Sequence, residues 1–411
     1  MSQVAMRGVG WFLPCTGPRR GPVNRWQDLG LRGPCELLIE RDSAGERLLA
    51  VAEPGELAHV EEVVDVGGRG VCAGWVDAHT HAVFAGDRAS EFNRRLAGES
   101  YAKIAAEGGG ILRTVRATRA ASVTELVESA SLRLEEMAAW GARVVEIKTG
   151  YGLDLGSELR LLQAIDGLRD AWRGRIDVVA TAMPAHAIPP ERKSDPDRYV
   201  REVCDEILPA MASSGAKLDF VDVFIERGYF SVAQADAIAG RARELGLAIK
   251  AHVDEFEDVG GVPWAVDNGA VSVEHLLVTS AAHQRLLAES DTVAVCLPLT
   301  SLFLREDYAP MRQLIDLGGL VAIATDCNPG SAMSTNLHLA MQLAVLRGGL
   351  TPQEAIRAVT NAGAMALGGR GGPLQWDGSL RLGERFVATT LDVPHPDVLF
   401  YQLGSPPRAV Q

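Results

Sequence analysis

The chain has 411 residues, 47% of them hydrophobic and 23% charged, with a formal net charge of −13. That length suits one large barrel with an appendage, or two domains, and the composition is ordinary for a globular protein. The acidic balance argues against nucleic acid or an anionic membrane as partner, and no stretch has the length and apolarity of a membrane span. Six scattered cysteines without a CxxC pair fit reduced thiols, and residues 1–8 lack a basic-then-apolar leader pattern, so a cytoplasmic location is expected.

Residues 1–70 are short apolar pieces broken by Gly and Pro, and read as part of a small β-rich unit whose individual strands the pattern does not define. From Val71 onward, apolar β-branched runs alternate with amphipathic stretches. The runs cover 71–76, 144–148, 176–183, 220–225, 247–252, 271–274, 292–297 and 321–325, eight in all. Ser122-Val-Thr-Glu125 is a capping box for a helix reaching Trp140, and Ser157 opens a helix to Asp170. Further helices are expected over 196–212, 232–246, 280–290 and 310–317, with Gly141, Gly215, Gly246 and Gly318 at the stops. Eight continuous strands alternating with helices predict a parallel sheet covered on its outside, and eight is the number that closes a (β/α)8 TIM barrel. Helices over 335–347 and 352–367 follow. Gly368-Gly-Arg-Gly-Gly-Pro373 then breaks the chain, and the tail is expected to return and complete a β-sandwich-like domain with the N-terminal segment. The boundaries read from the sequence are 1–70, 71–368 and 369–411.

Chemistry in such barrels sits at the C-terminal ends of the strands. The first run ends in His79-Thr-His81, whose imidazoles project to one face because residues two apart in a strand do so. The second ends in Lys148 and Thr149-Gly-Tyr151-Gly, the third in Pro184-Ala-His186, the fourth in Glu226. His252-Val-Asp-Glu255, Glu274-His275 and Asp326-Cys-Asn328-Pro-Gly330-Ser331 follow the fifth, sixth and eighth. Five of nine histidines therefore lie at strand ends; His59, His283, His338 and His395 read as surface or packing residues. Three imidazoles and a carboxylate suit zinc or iron. A metal held by His79, His81, His252 and Asp326 can bring a bound water to a pKa of about 7. Asp326 can share a proton with that water, Glu255 can reach water or substrate, and His275 can polarise a carbonyl.

These residues, in this strand order, resemble the amidohydrolase superfamily of metal-dependent hydrolases. Gly86-Asp-Arg88, Glu91-Phe92, Ala106-Glu-Gly-Gly-Gly110-Ile111, Glu146-Ile-Lys-Thr-Gly-Tyr151-Gly-Leu, Ala185-His186-Ala, His252-Val-Asp-Glu255 and Thr325-Asp-Cys-Asn328-Pro-Gly-Ser331 narrow it to the imidazolonepropionase family, over about residues 71–368. The resemblance implies hydrolysis of the ring carbon–nitrogen bond of 4-imidazolone-5-propanoate to N-formimidoyl-L-glutamate, the third step of histidine degradation. It implies His79, His81, His252 and Asp326 as ligands of one Zn2+ or Fe2+/Fe3+ per subunit. Arg88, Tyr151, His186, Glu255, Asn328, Gly330 and Ser331 become substrate contacts, and Asp326, His275 and Glu255 catalytic groups. It also implies a homodimer.

Arg88 suits the propionate arm because guanidinium binds carboxylate through two parallel hydrogen bonds. A single ion is expected. The fourth run carries no lysine at its end, Glu226 follows it, and Lys148 ends the second run, where an ion pair or hydrogen bond inside the barrel mouth is its expected role. Two rival readings stand. One is another amidohydrolase, a cyclic amidase or a heterocycle deaminase. The other is a non-catalytic metal- or ligand-binding barrel, disfavoured because binding alone needs no proton carriers such as Asp326 and Glu255.

Overall fold

The computed structural model describes residues 2–43, 45–99, 103, 107–407 and 409–410; Ala106 of the Gly-Gly-Gly motif lies outside the described residues. Eight parallel strands form one sheet in sequence order: β7 (Trp75–Asp77), β8 (Ala142–Lys148), β9 (Asp177–Ala185), β10 (Phe220–Ile225), β11 (Ala248–Val253), β12 (Ser272–His275), β13 (Val293–Cys296) and β14 (Val321–Ile323). The sheet closes beyond the ends of its first and last strands. Thr80 bridges Cys327 in parallel, His81 N–H donates to the Cys327 carbonyl, and Asp326 N–H donates to the His79 carbonyl. Asp77, fully buried, accepts from both the backbone N–H and the hydroxyl of Thr325 at 2.9 and 2.6 Å. The barrel predicted from eight runs is therefore present.

The appendage consists of two four-stranded sheets. One has the order β4 (Gly45–Ala52), β3 (Cys35–Asp42), β1 (Ser2–Val9), β5 (Glu62–Asp65); the other has β16 (Ala409–Val410), β15 (Ala388–Leu391), β6 (Gly70–Ala73), β2 (Trp11–Leu13). The tail returns as expected, with β15 antiparallel to β6. The run over 71–76, read from the sequence as one barrel strand, is two strands in different sheets. The division falls at Gly74, whose N–H donates to the Val387 carbonyl and whose missing side chain leaves room for Val387. An uninterrupted apolar run carries no sign of it, because both strands are fully buried.

Helix Val123–Ala139 starts with the predicted capping box at Ser122, and Gly141, Gly215, Gly246 and Gly318 all adopt left-handed backbone. The next helix runs Leu155–Ala171 and is capped by Asp154, whose carboxylate accepts from Ser157 N–H, so Ser157 lies inside it. The helical stretch from Pro196 contains a π turn, Val203–Ile207, just before Pro209. Proline has no N–H and its ring crowds the carbonyl four residues back, and the wider turn absorbs both effects. The last long helix breaks at Thr360 into Pro352–Val359 and Asn361–Met365. Helices Ala89–Leu96, Ile111–Ala120, Gly261–Asp267 and Pro298–Leu304 were not expected from the sequence.

The barrel interior is not purely apolar. Glu146, Lys148, Asp222, Lys250 and Glu274 are all fully buried within it. Lys148 Nζ lies 2.7 Å from Asp222 and 3.0 Å from Glu146, and Lys250 Nζ lies 2.7 Å from Glu146 and 3.7 Å from Glu274. Lys148 thus occupies the ion pair expected for it. Buried charges are tolerated only when paired in this way. All six cysteines are free thiols. Among the described residues no helix is long and apolar enough to cross a membrane.

Candidate metal and substrate site

The closure that stitches 79–81 to 325–327 brings the site together. His79 Nε2 and His81 Nε2 lie 3.4 and 3.9 Å from Asp326 Oδ1, and His252 Nε2 lies 3.4 Å from His81 Nε2. Two ligand atoms about 2.1 Å from one ion at the tetrahedral angle are separated by about 3.4 Å. Among the described residues, neither ring nitrogen of His79 nor Nδ1 of His81 has a hydrogen-bond partner, although all three are buried. Unpartnered buried polar atoms at ligand spacing fit a cation better than they fit a packed core. Two overlapping groups, His79 with His81 and Asp326, and His79 with His252 and His275, have candidate ligand atoms within 4.8 Å of one another and can hold a divalent cation.

Electrostatics agree with this use. Burial, reinforced by neighbouring cationic groups, holds His79, His81 and His275 well below the usual imidazole range, so they are neutral, the form that binds metal. Burial likewise lowers His186 to about 3 and pushes the Asp326 carboxyl up to about 6. Glu255 is pushed well above the carboxylate range by burial and by the charges of Asp326 and Glu226. Asp326 and His275 have φ of 53° and 78°, left-handed values that cost about 1–3 kcal/mol each in a side-chain-bearing residue.

The other predicted residues form two neighbourhoods. His186 stacks on His81 with centroids 4.7 Å apart, Tyr151 lies 5.7 Å from His81 and 5.3 Å from His186, and His275 Nε2 is 3.7 Å from Glu255. These side chains surround the imidazole cluster. The second neighbourhood is the 328–331 turn with Arg88. Asn328 Oδ1 accepts from the N–H groups of Gly330 and Ser331, and Asn328 Nδ2 donates to Ser331 Oγ and to the Asp326 carbonyl. Asn328 and Ser331 therefore brace their own loop and tie it to Asp326. Arg88 Nε donates to Glu91 Oε2 at 2.9 Å, and a Cβ at position 330 would overlap Arg88 Nη1. Glu91 also accepts from Gly110 N–H, which links Arg88 to the glycine block.

Three groups escaped the sequence reading. Thr300 Oγ donates to Asp326 Oδ2 at 2.7 Å from the helix that follows β13, the one strand end at which no residue had been singled out. Its only signal is a threonine three residues past a strand. Asp77 braces Thr325, next to Asp326. Phe224 packs its ring 5.6 Å from His252. Glu226, which follows the fourth barrel strand, accepts from the backbone N–H groups of Arg227, Phe256 and Glu257. Of the histidines set aside, His338 is buried against Trp75 and His283 pairs with Asp258 near the surface.

Residues 71–374 match the model of the amidohydrolase family. The imidazolonepropionase of Symbiobacterium thermophilum is 44% identical over 395 residues, covering 94% of this chain and 90% of that protein. That of Chloroflexus aggregans is 44% identical over 417 aligned positions, covering 97% and 94%. Among solved structures, an adenosine deaminase of Xanthomonas campestris with bound zinc has a TM-score of 0.73 at 15% identity, covering 99% of this chain and 90% of that one. An atrazine chlorohydrolase variant of Arthrobacter aurescens TC1 complexed with zinc and atraton has 0.69 at 17%, covering 99% and 92%. At such identities the structural likeness concerns the fold alone, whereas the sequence matches span nearly the whole chain. The chain belongs to the amidohydrolase family and, within it, to the imidazolonepropionases.

Proposed function

We propose that this protein hydrolyses the ring carbon–nitrogen bond of 4-imidazolone-5-propanoate, giving N-formimidoyl-L-glutamate. The observation that supports this reading is the gathering of His79, His81, His252 and Asp326 at ligand spacing, with Asp326 tied through Asn328 to the loop that Arg88 packs against. His79, His81, His252 and Asp326 would hold one zinc or iron ion. Bound there, such an ion acidifies water and polarises a carbonyl.

The remaining steps belong to side chains. Thr300 holds Asp326 Oδ2, which leaves Oδ1 facing the imidazoles, and Asp326 takes the proton of the attacking water and passes it to the leaving ring nitrogen. His275 donates to the oxygen that gains charge as the ring carbonyl is attacked. Glu255, whose carboxyl is pushed up by burial and by the charges of Asp326 and Glu226, makes a hydrogen bond to the ring. His186 and Tyr151 face it from the far side of His81. Arg88 clamps the propionate, with Asn328, Gly330 and Ser331 shaping that end of the pocket. In this reading Gly330→Ala displaces Arg88, and kcat/KM falls about 10- to 100-fold, mostly through KM, with metal content unchanged. Unaltered steady-state constants in that variant would remove Gly330 from the binding surface.

One ion per chain is part of the proposal. Lys148 is committed to Asp222 and Glu146, and Glu226 to backbone N–H groups, so neither is poised to bridge two ions. Asp222, His252 and Glu274 also lie at ligand spacing, but the ammonium groups of Lys148 and Lys250 already neutralise that place. Protein purified without added metal should contain close to one equivalent of zinc or iron. A chelator should abolish turnover of the imidazolone, and one equivalent of metal should restore it. Two tightly bound equivalents that rise with activity would refute the single-ion reading. Turnover of hydantoins or aminated heterocycles in preference to the imidazolone would favour the rival amidohydrolases. The homodimer and the cytoplasmic location belong to the same reading, and light scattering of the purified enzyme tests the former.

A further inference from the structure

We infer that Asp222 is a positioning residue for the metal site: it accepts the Nδ1 proton of His252 and so presents that ring's Nε2 lone pair to the centre of the cluster. The inference rests on the proposed ligand set but adds a residue outside it. Asp222 lies mid-strand in β10, fully buried and flanked along the strand by Val221 and Val223, where a carboxylate is costly unless it is paired and hydrogen-bonded. Its Oδ1 is 3.0 Å from His252 Nδ1, and its Oδ2 is 2.7 Å from Lys148 Nζ. In the paired register of β10 and β11, Asp222 sits opposite Lys250, two residues before the Phe224–His252 pair, so the contact to His252 runs diagonally inside the barrel.

The second nitrogen of His252, Nε2, faces His81 Nε2 at 3.4 Å. A neutral imidazole carries one proton, and a carboxylate at hydrogen-bond distance from Nδ1 decides that the proton is there. Glu274 is the other carboxylate near this nitrogen, but at 3.8 Å it lies beyond hydrogen-bond reach. His79 and His81 have no such partner on Nδ1 among the described residues. His252 is thus the imidazole of the set whose tautomer and ring angle are held from behind. Outer carboxylates in this position typically change metal affinity by about 10- to 100-fold.

The rate at which the zinc-loaded enzyme releases its ion into excess chromophoric chelator tests this. Asp222→Asn should release zinc about 10- to 100-fold faster than wild type. Lys148→Met takes the counter-charge from buried Asp222 and so measures what the ion pair alone contributes; because the Asp222–His252 contact survives and Glu146 keeps Lys250 as its partner, it should release zinc more slowly than Asp222→Asn. The double variant Lys148→Met with Asp222→Asn leaves no unpaired charge between these two positions, and it carries the test if Asp222→Asn alone does not fold. Rapid release from the double variant, with cobalt-substituted absorption bands shifted from those of wild type and of Lys148→Met, supports the assignment. Wild-type release and an unshifted cobalt spectrum in the double variant overturn it, and would mean that Asp222 serves only to neutralise Lys148. Loss of zinc from every protein including wild type would instead sink the metal site itself.

Discussion

Asp326→Asn is expected to lower kcat by about 10²- to 10⁴-fold, roughly 3–5 kcal/mol of barrier, while part of the bound metal is retained. The amide keeps an oxygen that can face the imidazole cluster and loses the basicity needed to carry a proton from water to the leaving nitrogen. Folding should survive. Position 326 has left-handed backbone, which Asn tolerates as well as Asp, and Thr300 Oγ can still hydrogen-bond the amide. The decisive comparison is kcat per metal-loaded chain. A variant with normal metal content and full turnover would show that Asp326 is at most a ligand.

Arg88→Lys should cost about 2–4 kcal/mol in kcat/KM, or about 30- to 700-fold, despite the conserved charge. Arg88 uses Nε to hold Glu91 and sets Nη1 against the 330 loop, so the side chain is anchored while its guanidinium keeps donors that can grip a carboxylate. Lysine has no nitrogen that can do the first while presenting a fork for the second. The loss should be largest for substrates with the propionate arm and small for a ring lacking it. Equal losses with both would assign Arg88 to the loop rather than to substrate, and an unchanged kcat/KM would remove it from the site.

The residues that carry these two predictions were legible in the chain. Asp326 ends an apolar run, as do His79, His81, His252 and His275, and strand ends converge in any parallel barrel. Arg88 stood out through its motif. Thr300 was not legible, because a threonine in an apolar segment is common and only the fold of Pro298–Leu304 turns its hydroxyl toward Asp326.

The sequence by itself determined the alternation of eight buried strands with helices, the capping box at Ser122, and the imidazoles and carboxylate placed at strand ends. Each is a local matter of periodicity, capping or position along one run. Tertiary structure alone decided which charges meet inside the barrel. Lys148 finds Asp222 across 74 positions and Lys250 finds Glu146 across 104, pairings that depend on barrel closure and not on any neighbouring residue. It also decided that 71–76 is shared between two sheets at Gly74, and that His275 and Asp326 take left-handed backbone. Local preference opposes that conformation; it is held because the strands and the closure around them leave the chain no other path.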